Sequence, residues 1–165
     1  MELVAVAAVS ENGVIGDAGE LPWPSVPADR RMYRARVAGQ PVILGRRTFE
    51  SMRDDLPGGT HIVLTTDPNR RYDLSTVLVV GSVDEALATA RGLTDGEVFV
   101  LGGGAVYAAF LPHLDQLILS RIPGRYEGDT RFPEIDPVDW RLVRTEPQCG
   151  FTLETWQRVE NDDRD

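Results

Sequence analysis

Glu97-Val98-Phe99-Val100-Leu101-Gly102-Gly103-Gly104-Ala105-Val106-Tyr107 is the stretch that decides the fold. Four apolar residues in succession, Val98 to Leu101, predict a strand buried on both faces. Three glycines follow, and Ala105 to Leu111 reads as a helix. A strand that runs through glycines into a helix lets backbone come close to a ligand. The N–H groups at the helix start, and its positive end, suit phosphate. The same residues also satisfy a plainer reading, a tight turn that needs positive φ. The run is neither a G-x-G-x-x-G fingerprint nor a Walker loop, which requires Gly-Lys-Ser/Thr.

Working outward, strands and helices alternate. Leu3–Val9 is an apolar run that predicts a buried strand close to the start of the sequence. Ser10 to Pro27 carries three glycines and three prolines at spacings that no helix survives. It also holds Val14, Ile15, Leu21 and Trp23, so we expect an ordered lid or binding loop. Pro27 opens a helix that runs to about Ala38 and stops at Gly39. Strands are expected at Pro41–Gly45, His61–Thr65, Val77–Val80 and Gln116–Ile122, with a short helix over Arg46–Met52. Ser82 and Glu85 form a capping box ahead of a helix over Val83–Arg91. Asp139–Glu146 and Phe151–Val159 read as a closing antiparallel pair, and Asn161–Asp165 as a frayed, charged end. No repeat or linker divides the 165 residues, so one domain is expected. The alternation implies an α/β fold with a mostly parallel sheet, helices on both faces and an antiparallel C-terminal edge. Ligands in such sheets sit beyond the carboxyl ends of the strands, where Gly16, Arg46, Thr65 and Gly102 all fall.

Composition narrows the function. The formal net charge is −9, which argues against nucleic acid or an anionic membrane as partner. The longest apolar run, Leu3 to Val9, is too short to span a bilayer, and no signal peptide is visible. The single cysteine, Cys149, excludes an internal disulfide and fits no metal spacing. A reducing, cytoplasmic setting and no metal are expected. All 17 basic residues are arginine. A lysine-free, acidic surface suits a solvent rich in salt, which screens self-repulsion. Arginine bias from a GC-rich genome would also remove lysine, but would not by itself add acid.

Asp29 is the most informative carboxylate. It lies at a helix start, where an acidic residue often only caps. Yet Tyr33 follows at i+4 on the same face, at the mouth of an apolar loop. A carboxylate above an aromatic ring suits a flat heterocycle, bonding a ring N–H and an adjacent exocyclic amine in parallel. Arg46 and Arg47 present forked donors beside a helix start, suited to phosphate, although a solvated charge pair reads the same. Thr65 and Thr66 are equally at home as structural strand residues. His61 and His113 are isolated and need no function.

These residues fall into a recognisable order. Ile15-Gly16, then Leu21-Pro22-Trp23, Asp29 and Tyr33, resembles the signature of the dihydrofolate reductase family. Gly45-Arg46-Arg47-Thr48-Phe49-Glu50-Ser51 and Leu56-Pro57-Gly58 with Ile62–Thr65 resemble its second and third blocks. Gly102–Tyr107, then Glu127-Gly128-Asp129-Thr130 and Phe132-Pro133, resemble the last two. The acidic, lysine-free composition is similar to that of haloarchaeal members.

The resemblance implies an eight-stranded sheet with about four helices, NADPH as hydride donor and 7,8-dihydrofolate as acceptor. It implies that Asp29 holds the pterin edge and promotes protonation of N5, that Trp23 anchors the active-site loop, and that Leu21 lies on the part that closes over the nicotinamide. Val6, Ala8, Tyr33 and Leu101 would line the pterin pocket, and Ser120 would hydrogen-bond Asp29. Ala8, Ile15, Gly16, Gly45 and Leu101 would border the cofactor. Gly102-Gly103 would carry a cis peptide, and Gly102, Gly103, Gly104, Ala105, Val106 and Tyr107 would form the pyrophosphate cradle. Arg46, Arg47, Thr48, Thr65 and Thr66 would meet the adenosine phosphates, Arg46 and Thr66 nearest the 2′-phosphate.

One departure stands out. Many relatives carry arginine just after Leu-Pro-Gly to hold the glutamate tail, where this chain has Gly59. Arg53 or Arg36 is then the expected replacement. A riboflavin-pathway pyrimidine reductase shares this fold and NADPH; the Leu-Pro-Trp block with Asp29 argues against it, and Gly59 mildly for it. A non-catalytic nucleotide-binding module is the reading from another class. A monomer is expected, since no extra apolar element is visible. If the composition is an adaptation to salt, the thermal unfolding midpoint should rise from low to molar KCl; a flat or falling curve would remove that reading.

Overall fold

The computed structural model describes residues 1–160, so the charged end expected at Asn161–Asp165 lies outside the described residues. The chain runs β1 (Glu2–Ser10), β2 (Val14–Gly16), α1 (Pro27–Val37), β3 (Pro41–Gly45), α2 (Arg46–Ser51) and β4 (Thr60–Leu64). It continues β5 (Val77–Val80), α3 (Val83–Leu93), β6 (Glu97–Gly102), α4 (Gly104–Phe110), β7 (Gln116–Ile122), β8 (Thr130–Arg131), β9 (Trp140–Gln148) and β10 (Phe151–Arg158). A single 3₁₀ turn, Leu111–His113, follows α4.

Eight strands form one sheet in the order β5-β4-β3-β6-β1-β7-β10-β9. Every pair from β5 to β7 is parallel, and β10 pairs antiparallel with both β7 and β9. The expected α/β architecture, with its antiparallel C-terminal edge and four helices, is therefore the observed one. β1 shows why this sheet needs cover on both sides. Leu3, Ala5, Ala7 and Val9 enter one apolar cluster with Ala86, Leu87, Ala90 and Phe110 of α3 and α4. Val4 and Val6 enter the other, with Val37 of α1 and Phe49 of α2. Successive side chains point to opposite faces, so an unbroken apolar run is what a two-sided burial demands.

Local signals set the helix ends. Pro27 occupies the first turn of α1, and Gly39, at φ 73°, follows its end. The Ser82 side chain accepts from the Glu85 N–H, and the Glu85 carboxylate reaches back to the Gly81 N–H. The capping box thus forms with its return bond one residue earlier than the motif prescribes.

The segment Ser10–Pro27 was expected to lack regular structure, and that is incomplete. β2 pairs with β8 in a separate two-stranded sheet, and Asp17 bridges Glu20. Strands of three and two residues carry no readable period, and the partner lies more than a hundred residues away. The pairing needs glycine at 128, because a Cβ there would sit 2.4 Å from the Gly16 carbonyl oxygen.

Phe110 is fully buried between α4 and the sheet. Phe110→Ala should cost about 3–5 kcal/mol of unfolding free energy, read from denaturant midpoints at constant salt.

Candidate active site

The cleft begins where two neighbouring strands part. β1 pairs with β6 only as far as Ala5↔Val100, whereas its pairing with β7 continues to Ser10↔Ile122. The β3–β6 register also slips, matching Ile43 to Val100 and then Leu44 to Gly102, so Leu101 is left over. The carboxyl end of β6 bends away from β1 into α4. The Val6 carbonyl, deprived of a strand partner, accepts the Tyr107 hydroxyl at 2.7 Å. Burial pushes that phenol well above its ordinary range, with the nearby Tyr33 phenol adding to the effect. Tyr107 therefore stays a neutral donor that ties α4 back to β1.

Asp29 projects into this cleft from the first turn of α1. It makes no cap bond; its Oδ1 accepts the Ser120 hydroxyl at 2.5 Å, from β7. Ser120 is buried and lies opposite Ala8 in the β1–β7 register. One hydrogen bond thus joins the helix that flanks the cleft to the floor beneath it. Burial raises the Asp29 carboxyl above its usual range, and the Ser120 hydroxyl pulls it partly back. Tyr33 packs with Met32 against the apolar cluster that holds Val6, Leu101 and Trp23. Val6, Ala8, Tyr33, Leu101, Ser120 and Asp29, all expected at one pocket, are on the elements that border this opening.

The long loop has one fixed end and one free one. Trp23 is buried and meets Tyr126 edge-on, with ring centroids 5.8 Å apart. Leu21, two residues earlier, is 60% exposed and available to cover a ligand. Ile15 and Gly16 lie beside Thr130 and Gly104, so β2 borders the start of α4. Tyr126 was not singled out from sequence; its only signal was that of an isolated aromatic in a loop.

The other flank gathers the glycines and cations. The peptide between Gly102 and Gly103 is cis, as the resemblance implied. A Cβ on Gly45 would lie 3.0 Å from Val106, 3.8 Å from the Gly102 oxygen and 4.0 Å from the Gly103 nitrogen. A Cβ on Gly103 would lie 3.3 Å from the Thr48 hydroxyl. The start of α2 and the start of α4 therefore converge. The first-turn N–H groups of α4 have no intrahelical acceptors. Arg46 pairs with Glu50 at 3.0 Å, Arg47 and Ala105 face solvent, Thr65 is buried and Thr66 is exposed. Glu50, one turn along from Arg46, was overlooked, although an i,i+4 acid–base pair is readable in sequence.

Gly59 has a structural reason. A Cβ there would lie 2.9 Å from the Gly39 carbonyl carbon and oxygen, so no side chain fits without moving that backbone. Arg53 sits over the Tyr72 ring at 5.5 Å, and Arg36 is exposed. His61 bonds Thr76 and the Pro57 carbonyl and is a satisfied core residue. No group of three or more metal-ligating side chains exists among the described residues.

Taken together, the sheet order and the parted strands define a doubly covered α/β domain whose seam carries a half-buried carboxylate from α1 and a glycine bend from the end of β6. A family model for dihydrofolate reductase matches residues 2–157. The chain is 40% identical to dihydrofolate reductase 1 of Haloarcula marismortui, covering 96% of this chain and 92% of that one. It is 37% identical to dihydrofolate reductase HdrB of Haloferax volcanii, over 97% and 85%. A dihydrofolate reductase from Enterococcus faecalis, solved with NADP(H) and RAB-propyl, superposes with a TM-score of 0.85 at 38% identity, covering 96% and 97%. The chain belongs to the dihydrofolate reductase family.

The Asp29 shift has a stability consequence. Its carboxyl holds a proton more readily in the folded chain than in the unfolded one. Below the unfolded value, about 3.9, both states are protonated and nothing is lost. As pH rises through that value and past the folded one, a destabilising contribution develops and stays. Asp29→Asn should therefore raise the unfolding midpoint at neutral pH, and thermal melts across pH should show the gain disappearing in acid.

Proposed function

We infer that this chain reduces 7,8-dihydrofolate to 5,6,7,8-tetrahydrofolate with NADPH, in one-carbon metabolism. The observation that carries the reading is the Asp29 carboxylate, held by Ser120 at the floor of the parted strands. The family match supports the same activity, and the Leu-Pro-Trp block with Asp29 disfavours the riboflavin-pathway alternative. The glycine bend, its cradle of close backbone approaches and the neighbouring arginines fit a dinucleotide.

The catalytic demands are modest in number. When bound, NADPH supplies the hydride that reaches C6 of the pterin. The protein must hold two flat rings face to face and keep water out. Gly102 to Tyr107, with Gly45 to Thr48, hold the cofactor's phosphates. Thr65 and Thr66 extend that surface, and Ala8, Ile15 and Gly16 border the nicotinamide. Asp29 accepts from the ring N–H and exocyclic amine of the pterin, which fixes its orientation. Its raised affinity for a proton makes it the group that promotes delivery to N5. Val6, Leu101 and Tyr33 supply the apolar walls, and Trp23 anchors the loop from which Leu21 covers the site. Arg53 stands as the tail-binding cation.

The wider setting follows from charge and composition. A net charge of −9 opposes nucleic acid, and no described helix is long and apolar enough to cross a membrane. We place the enzyme in the cytoplasm, as a monomer, in a salt-rich cell.

Asp29→Asn should lower turnover by about 10²–10⁴-fold, while NADPH affinity, read by fluorescence titration, stays near that of the unaltered chain. Equal loss of both would take Asp29 out of catalysis. The rate is followed as loss of 340-nm absorbance in high salt, first with dihydrofolate and then with the riboflavin-pathway pyrimidine intermediate. Turnover of the second alone would overturn the reading.

A further inference from the structure

A carboxylate hub lies on α2, apart from the Asp29–Ser120 pair. Glu50 accepts Arg46 Nη1 at 3.0 Å through Oε2 and the Tyr72 hydroxyl at 2.8 Å through Oε1. Arg70 reaches the same Oε1 from 3.7 Å, and its Nε lies 3.6 Å from Asp67. Both distances exceed a hydrogen bond. The Arg70 Nε is buried and has no hydrogen-bond partner. Arg70 is thus drawn to this place by charge while donors of its fork remain unmatched. A buried donor without an acceptor is costly and needs an explanation.

We propose that Arg70 is a specificity-determining residue for the cofactor's 2′-phosphate, acting with Arg46 as a pair arranged about Glu50. The inference rests on the NADPH reading above and assigns one end of that ligand. Strand order gives the direction. Asp29 and Ser120 mark the reacting end, over β1 and β7. The glycine bend follows β6 and touches the start of α2, which follows β3. A dinucleotide with its ring over β1 and its pyrophosphate at the bend extends its adenosine toward β3 and β4. Thr66, Asp67 and Arg70 follow the end of β4, and Arg46 and Glu50 follow β3.

Charge explains why one arginine is not enough. Arg46 and Arg70 are balanced by Glu50 and Asp67, so this patch has no net charge from its four members. Without Arg70 it would be net negative and would repel a phosphate carrying nearly two charges. With it, each guanidinium turns one edge to a carboxylate and another to the phosphate, which the five-donor fork permits. Tyr72 packs edge-on against Phe49, centroids 4.7 Å apart, and so holds the 66–74 segment against α2. Arg71 is a built-in control. It carries the same charge one residue away, but among the described residues its hydrogen bonds go to the Pro68 and Arg70 carbonyls.

The test compares two nucleotide probes that differ by the phosphate in question. Binding of 2′,5′-ADP and of 5′-AMP is measured by calorimetry in the unaltered chain and in Arg70→Ala, Arg70→Gln and Arg71→Ala. Far-UV circular dichroism confirms the folded state of each variant. Both Arg70 variants should weaken 2′,5′-ADP about tenfold or more, equivalent to about 1.4 kcal/mol, and leave 5′-AMP within about twofold. Arg71→Ala should change neither. The kcat/KM ratio of NADPH to NADH should fall with Arg70→Ala, through the NADPH value alone. Unchanged 2′,5′-ADP binding would overturn the proposal, as would an equal loss of 5′-AMP or an equal effect of Arg71→Ala. If the unaltered chain binds the two nucleotides equally, the NADPH reading itself fails, and that result is separate from any variant.

Discussion

The separation of β1 from β6 beyond Ala5 and Val100 is the constraint on which the rest depends. Parallel strands buried on both faces leave no room for a ligand while they remain paired. Here pairing stops early on one side of β1 and persists on the other, so the sheet opens along a single seam. The unmatched Leu101 and the glycines after it turn β6 out of plane. The Val6 carbonyl exposed by the split would be an unpaired buried acceptor, and the Tyr107 hydroxyl satisfies it. The opening is therefore stabilised by the same helix whose start forms one of its walls.

Two attachments set what enters the seam. On one side the Asp29–Ser120 bond holds α1 over β7 and keeps a half-buried carboxylate at the seam. On the other, the close packing of Gly45 and Gly103 against Val106 and Thr48 brings two helix starts together. The long loop crosses between them. Buried Trp23 and the β2–β8 pair fix it, while Leu21 stays exposed. Rigid anchors around a free tip are what a covering segment needs.

The all-arginine cation set gives the surface its particular character. Arg30 and Arg34 share Asp55, and Arg121 holds Glu154, so many of the forks are committed to carboxylates of the same chain. Gly59 illustrates how a departure from the family becomes intelligible. The Gly39 backbone occupies the space a side chain at this position would need.

The eight main strands and four helices were legible in the sequence, because apolar runs, capping residues and glycine stops act over a few neighbouring positions. The pocket residues were legible mainly as ordered blocks, since Asp29 alone reads equally well as a first-turn carboxylate. What the sequence could not state was anything that depends on a partner far along the chain. The three- and two-residue strands β2 and β8 and the meeting of Arg70, Tyr72 and Glu50 belong to that group. Local chemistry determined which segments become strands and helices. Only tertiary structure decided where β1 lets go of β6, because that depends on where a strand about a hundred residues further along turns out of the sheet into α4.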